Sequence, residues 1–161
     1  MKLMQAIKLK THSDFCFNDC PIHGLFFEHE NYATNMLIEI DIVRSYDDEN
    51  LPITPSVLRF TDISNLEIDL NRGSEGKDYG MLSPIYIDSL FIQEIKNKRP
   101  QYTIDLVNDG KIICSAKAAE LFYPDDFIVS QDGNEYLYSH ERNEIMKKVR
   151  NIAFTGKMDS V

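Results

Sequence analysis

Four residues near the start of the chain carry metal-binding or nucleophilic atoms in close succession: Cys16, Cys20, His23 and His29, spaced Cys-x3-Cys-x2-His-x5-His. Thiolate sulfur and imidazole nitrogen are the ligands that structural zinc takes. The local sequence argues against zinc all the same. Structural sites set a Cys pair on a tight knuckle, and Phe17, Asn18 and Asp19 between the two cysteines supply no glycine to turn one. A strand through Cys20 and His23 also sends positions three apart to opposite faces. The four are expected not to hold a metal together, and no cofactor is expected. Cys16 or Cys20 beside a histidine would make a thiolate pair. Neither an orienting third group nor a glycine turn for an oxyanion accompanies them. An enzyme is therefore the lesser expectation.

Acidic residues are the other source of chemistry. Glu39 and Asp41 alternate with Ile38, Ile40 and Ile42, and Glu67 and Asp69 alternate with Leu66, Ile68 and Leu70. Period-two alternation places each acidic pair on one strand face. If the two strands share a sheet, one face carries a row of carboxylates. That row is either the wetted side of an antiparallel sheet or a docking surface for a basic protein. On either reading Glu39, Asp41, Glu67 and Asp69 are expected to be exposed, and reversing Glu39 and Asp41 to Lys should leave thermal stability nearly unchanged. Asp47, Asp48 and Glu49 lack the glycine and twelve-residue spacing of a calcium loop. Gly73, Gly76 and Gly80 do not match a phosphate-binding loop.

Positioning these residues falls mainly to strands. Ile7 and Leu9 alternate with lysines. Residues 20–30 form an apolar and aromatic run with a kink expected at Gly24. Strands follow over 35–43, 56–61 and 66–70. The stretch 45–55, with Pro52 and Pro55, reads as a loop, and 71–84 as a longer glycine-rich one. Residues 85–95 fit a strand or a short helix. Residues 102–107 and 111–116 flank Asp109-Gly110, a hairpin signature, and 118–122 would extend the returning strand. The period then changes. Ile145, Val149 and Ile152 are spaced for one helical stripe, and Ser139 is placed to cap it. A helix is expected over about 140–151.

The fold class that follows is mainly β (α+β): an antiparallel two-layer sandwich or a partly closed barrel, with one C-terminal helix. Ile38, Ile40, Phe60, Ile68, Ile104 and Leu106 are the expected core. With 161 residues and no repeat or linker, the chain reads as a single domain over 1–161. It is large enough to bury roughly 70% of its unfolded surface. Asp and Glu number 26 against 17 Lys and Arg, a formal net charge of -9. Nucleic-acid binding needs the opposite sign. Three cysteines are too few for a disulfide scaffold. No secretory signal or membrane-length apolar run occurs, so a cytoplasmic location is expected, with no membrane or nucleic-acid partner.

The run Phe17-Asn18-Asp19-Cys20-Pro21-Ile22-His23-Gly24-Leu25, followed by Leu37-Ile38-Glu39-Ile40-Asp41, resembles a pattern in small bacterial β-rich proteins. Their pattern is an aromatic-His-Asp-Ser-x-Ile opening and a Leu-x-Leu-x-Ile-Asp strand, and some of those families are classed as immunity proteins of polymorphic toxin systems. Leu58 to Leu66 looks like their next stretch. The likeness covers about the first half of the chain. Asn18 stands where the pattern has histidine, and Cys20 where it has serine. The resemblance implies a β-sandwich-like fold and an inhibitor role. The leading expectation is thus a non-enzymatic binding protein, an immunity protein that neutralises a basic toxin. A structural or assembly domain is the alternative, and a metal- or cysteine-dependent enzyme the third.

Overall fold

The computed structural model describes residues 4–10, 16–45, 47, 52–70, 85–107, 110–125, 127–129 and 139–155. The glycine-rich stretch 71–84, Asp48 and Glu49 of the acidic loop, and Asn108 and Asp109 of the hairpin turn lie outside them. The elements are β1 (Met4–Lys8), β2 (Cys20–Glu30), β3 (Ala33–Val43), β4 (Pro52–Thr61), β5 (Ser64–Asp69), β6 (Ile85–Gln93), β7 (Gln101–Leu106), β8 (Lys111–Ser115), β9 (Ala118–Pro124), β10 (Ile128–Val129) and α1 (Ser139–Thr155). The protein is mainly β, with one C-terminal helix. No helix among the described residues is long and apolar enough to cross a membrane.

All strands belong to one antiparallel sheet in the order β1-β9-β4-β3-β2-β6-β7-β8-β5, with β10 beside β4. Its ends, β1 and β5, do not pair among the described residues, so the sheet is open rather than a closed barrel. Two corners fold it over. Asp62 and Ile63 join β4 to β5, and Ala116 and Lys117 join β8 to β9, side by side. Lys117 N donates to Thr61 O across them at 2.8 Å. Asp62, at φ 52°, is pinned there by Arg99, whose Nη1 and Nη2 donate to Asp62 O at 2.5 Å and Oδ2 at 2.6 Å. The fold-over brings Phe60 of β4 edge-on to Tyr102 of β7, with ring centroids 5.3 Å apart, although β3, β2 and β6 lie between those strands in the order.

The inner faces make the main core. Met36, Ile38, Ile40 and Ile42 of β3 meet Leu58 and Phe60 of β4, Tyr102, Ile104 and Leu106 of β7, and Ile112 and Cys114 of β8. Full burial of such side chains contributes about 1.5–3 kcal/mol each. Five of the six expected core residues are there. Ile68 is not, and stays 40% exposed. Its strand β5 is the last of the sheet, so alternation turns it inward at an edge where no strand closes over it.

Of the strand and the short helix left open for residues 85–95, the structure takes the strand, over 85–93. Two further elements differ from the sequence reading. Pro52 and Pro55, read as loop, lie in β4. Arg44 N donates to Pro52 O, so the alternate pair Asp41–Pro55 leaves its N–H positions pointing away from β3. There β4 has no neighbour among the described residues, since β10 pairs with residues 52 and 53 and β9 with residues 57–61. The missing N–H of Pro55 therefore breaks no ladder bond. The second difference is the helix stripe. Met146, Val149 and Ala153 are the buried positions, packed on Leu37, Val57 and Phe122, while Ile145 and Ile152 flank them half-buried. The helix thus covers the outer faces of β3, β4 and β9.

Candidate functional site

Under the helix lies a cluster of charges. It begins with a β-bulge in β2. Ile22 pairs with Ile40 and Gly24 with Glu39, leaving His23 as an extra residue. A bulge of this kind re-aims side chains. His23 and Gly24 consequently share the outer face with Glu39 and Asp41. His23 Nε2 lies 2.7 Å from Asp41 Oδ2. Gly24 leaves room for an aromatic ring: a Cβ there would come within 2.6 Å of Phe26 Cε2. The guanidinium of Arg150 rests over that ring, 5.3 Å from its centroid, and its Nε donates to Glu39 Oε1 at 2.5 Å. Arg142, also on α1, completes the set, 3.6 Å from Glu39 Oε2 and 3.7 Å from Asp41 Oδ1.

Glu39 and Asp41 are only 4% and 0% exposed. The sequence reading placed them on an accessible acidic face, and the structure overturns that placement. Alternation did put them on the outer face, but the helix covers it and supplies the arginines. Burial lowers the Arg142 guanidinium below its ordinary value, with Asp41 and Glu39 acting in the opposite sense. Arginine stays charged under such a shift, so the cluster holds two carboxylates and two guanidinium groups. A buried set of this kind contributes little net stability but is costly to break, because a remaining charge then has no counterpart.

The four N-terminal candidates are not brought together. Cys16 is exposed, Cys20 is buried in the inner core, His23 turns to Asp41 beneath the helix, and the His29 ring bonds the Thr34 hydroxyl at 3.0 Å. Among the described residues no group of three or more His, Cys, Asp or Glu is placed to hold a metal. Burial pushes the thiols of Cys20 and Cys114 up to about 12. Both are protonated at neutral pH and therefore poor nucleophiles. Cys20 and His23 also lie on opposite sides of the sheet, so they form no thiolate–imidazole pair.

The other half of the outer face, on β6, β7, β8 and β5, is different. Among the described residues nothing lies over it. A second bulge falls in β6, where Ile87 pairs with Leu106 but Ser89 with Asp105, so that Asp88 is the extra residue and faces outward beside Ser89. Asp105 stands opposite Lys111 on β8, and Lys111 opposite Asp69 on β5. One transverse row thus reads Asp88, Asp105, Lys111, Asp69. Asp88, Asp105 and Lys111, with Leu106 and Gly110, also line a cleft of about 350 Å³. Ser89 Oγ donates to Asp105 Oδ2 at 3.4 Å. The next row is Phe91, Thr103, Ile113, Glu67. Phe91 is 58% exposed.

Glu67 and Asp69 are exposed as expected, but four strands separate β5 from β3 in the sheet. The acidic row is therefore made with Asp88 and Asp105, which the sequence reading missed. Their signal was weak. Asp88 keeps the outward place that alternation gives it but is the one acid on its strand, and Asp105 stands alone among apolar neighbours. Arg142 and Arg150 were missed as well. Comparison of the chain with protein-family models, curated protein sequences and solved structures returns no match.

Proposed function

We propose that this chain is a non-enzymatic binding domain whose partner is a basic protein, docked on the uncovered outer face of β5, β6, β7 and β8. The observation that carries this reading is the contrast between the two halves of one sheet. Beneath the helix, carboxylates are neutralised by internal arginines. On the uncovered half, Glu67, Asp69, Asp88 and Asp105 meet, among the described residues, a single register-paired cation, Lys111, beside an exposed aromatic ring. An aromatic anchor flanked by like charges suits an interface, and the net charge of -9 favours encounter with a basic surface. A toxin capped by its immunity protein is the form of partner that the resemblance of the first half implies.

The test takes the product of the gene adjacent to this one as partner and measures association and dissociation rates. Phe91→Ala should raise the dissociation rate, by about 30-fold if it is a central anchor contributing about 2 kcal/mol. Asp88→Lys with Asp69→Lys, both exposed, should slow association and flatten its salt dependence, since exposed charges act mainly on encounter. Rates and salt slope left intact by all three changes would show this face to be solvated sheet and nothing more.

A further inference from the structure

The edge of that same face has its own chemistry. Leu106 N donates to Gly110 O at 2.8 Å, which makes 106 and 110 a hydrogen-bonded pair of the β7–β8 ladder. Alternation then turns the backbone groups of Lys111 and Ile113 toward β5. These residues pair with Asp69 and Glu67, so the intervening Ile68 directs its N–H and C=O away from β8, toward the side of the terminal strand that has no paired strand among the described residues. Around that open ladder position the side chains alternate. Leu66, Ile68 and Leu70 are exposed on the inner side, and Glu67 and Asp69 on the outer side.

We infer that β5 accepts an added strand from the basic partner, an extended segment in which Lys or Arg alternates with apolar residues. The inference rests on the binding reading above and specifies how the partner engages. Strand addition draws affinity from main-chain hydrogen bonds and selectivity from alternate side chains. Here the apolar side chains of the incoming strand would meet Leu66, Ile68 and Leu70 at the open mouth of the inner core. Its cations would meet Glu67 and Asp69. The same charges disfavour a second copy of this chain. Antiparallel self-pairing centred on Ile68 sets Glu67 directly opposite Asp69 of the second copy, twice over, and like charges directly opposite are destabilising. Acidic side chains on an edge are a device against self-association, and they leave a strand of opposite charge as the fitting occupant.

The probe is a hexapeptide of alternating lysine and valine, matched to the six residues of β5, with a glutamate–valine hexapeptide as control. Binding is followed by NMR titration and amide hydrogen exchange on the whole chain. The lysine peptide should bind in preference to the glutamate peptide and slow exchange of the Ile68 amide. Ile68→Pro removes the edge donor without touching the β8 ladder, and should weaken binding about tenfold, or 1.4 kcal/mol. The double change Glu67→Lys and Asp69→Lys should invert the peptide preference. Should Ile68→Pro fail to fold, protection of the Ile68 amide in the unaltered chain decides the matter. Equal affinity of both peptides, an unprotected Ile68 amide, or a concentration-dependent dimer that Ile68→Pro abolishes would each overturn the inference. If the adjacent-gene partner responds to Phe91→Ala but not to Ile68→Pro, the edge is ruled out while the face stands. The reverse pattern rules out the face and keeps the edge.

Discussion

Replacing Arg142 by Leu tests whether the helix is held on the sheet by charge as well as by apolar packing. The substitution keeps much of the side-chain volume and removes the guanidinium that lies between Glu39 and Asp41. Breaking a buried pair by removing one partner costs about 3–5 kcal/mol. Glu39 retains Arg150 and Asp41 retains His23, so the lower end applies, about 3 kcal/mol. For a domain of this length that lowers the melting temperature by roughly 6–12 °C. Urea titration should show a lower midpoint with an unchanged slope, since the surface exposed on unfolding is the same. Adding Asp41→Asn to Arg142→Leu should recover part of the loss, with a coupling on the order of 1–3 kcal/mol in the double-mutant cycle. A loss below about 1 kcal/mol, the range of exposed pairs, or no coupling with Asp41, would refute the reasoning that this cluster is a desolvated unit.

Charge reversal should separate the two halves of the sheet: Glu39→Lys, facing Arg142 and Arg150, should destabilise by about 3 kcal/mol or more, whereas Glu67→Lys should stay within about 0.5 kcal/mol, both read by thermal melting. Gly24→Ala forces the Phe26 ring aside and off Arg150; because the ring tip can swing toward solvent, the expected cost is about 1 kcal/mol, with an altered Phe26 ring environment in NMR spectra. One thiol, Cys16, should react with a disulfide reagent in the native state and all three in denaturant, since the other two are buried. The thiols of Cys20 and Cys114 rise from 9.0 to about 12 on folding, so above pH 9 the unfolded chain binds fewer protons than the native one. Stability should accordingly fall as pH rises from 9 toward 12, and the fall should be shallower in a Cys20→Ala, Cys114→Ala variant.

Strand periodicity was legible wherever one face is apolar. The alternation of Met36 to Ile42 defines β3, and the kink read at Gly24 is the bulge that carries His23 to Asp41. Alternation assigns a residue to a face, however, and not to solvent or interior. Glu39 and Asp41 sit on the outer face as their spacing requires, yet their burial depends on a helix that begins about a hundred residues later. The mirror case is Ile68, whose spacing is that of a core residue and whose position at the end of the sheet leaves it half in water. Strand order decides both outcomes, and it depends on contacts far apart in the chain that no local pattern encodes.

The helix did carry a readable clue. From Met146, Val149 and Ala153 the buried stripe extends back by one turn to Arg142, and the half-exposed Arg150 flanks it. A stripe interrupted by arginines requires anionic partners on whatever it covers, and β3 is the strand that offers two carboxylates on one face next to Leu37. Glu67 and Asp69 give β5 the same pattern, so charge sign narrows the helix's seat to β3 or β5, and strand order decides between them. The seat on β3 also divides the acidic residues into two populations. Those opposite the arginines are bound up in holding the helix, so only the carboxylates beyond its reach remain to meet another molecule. That division is why the proposed docking surface is Glu67, Asp69, Asp88 and Asp105 rather than Glu39 and Asp41. Here an anionic surface, an exposed Phe91 and an edge of β5 that is unpaired among the described residues lie within one half of the sheet, and a single partner strand laid along that edge would touch both the backbone groups of the edge and the carboxylates beside it.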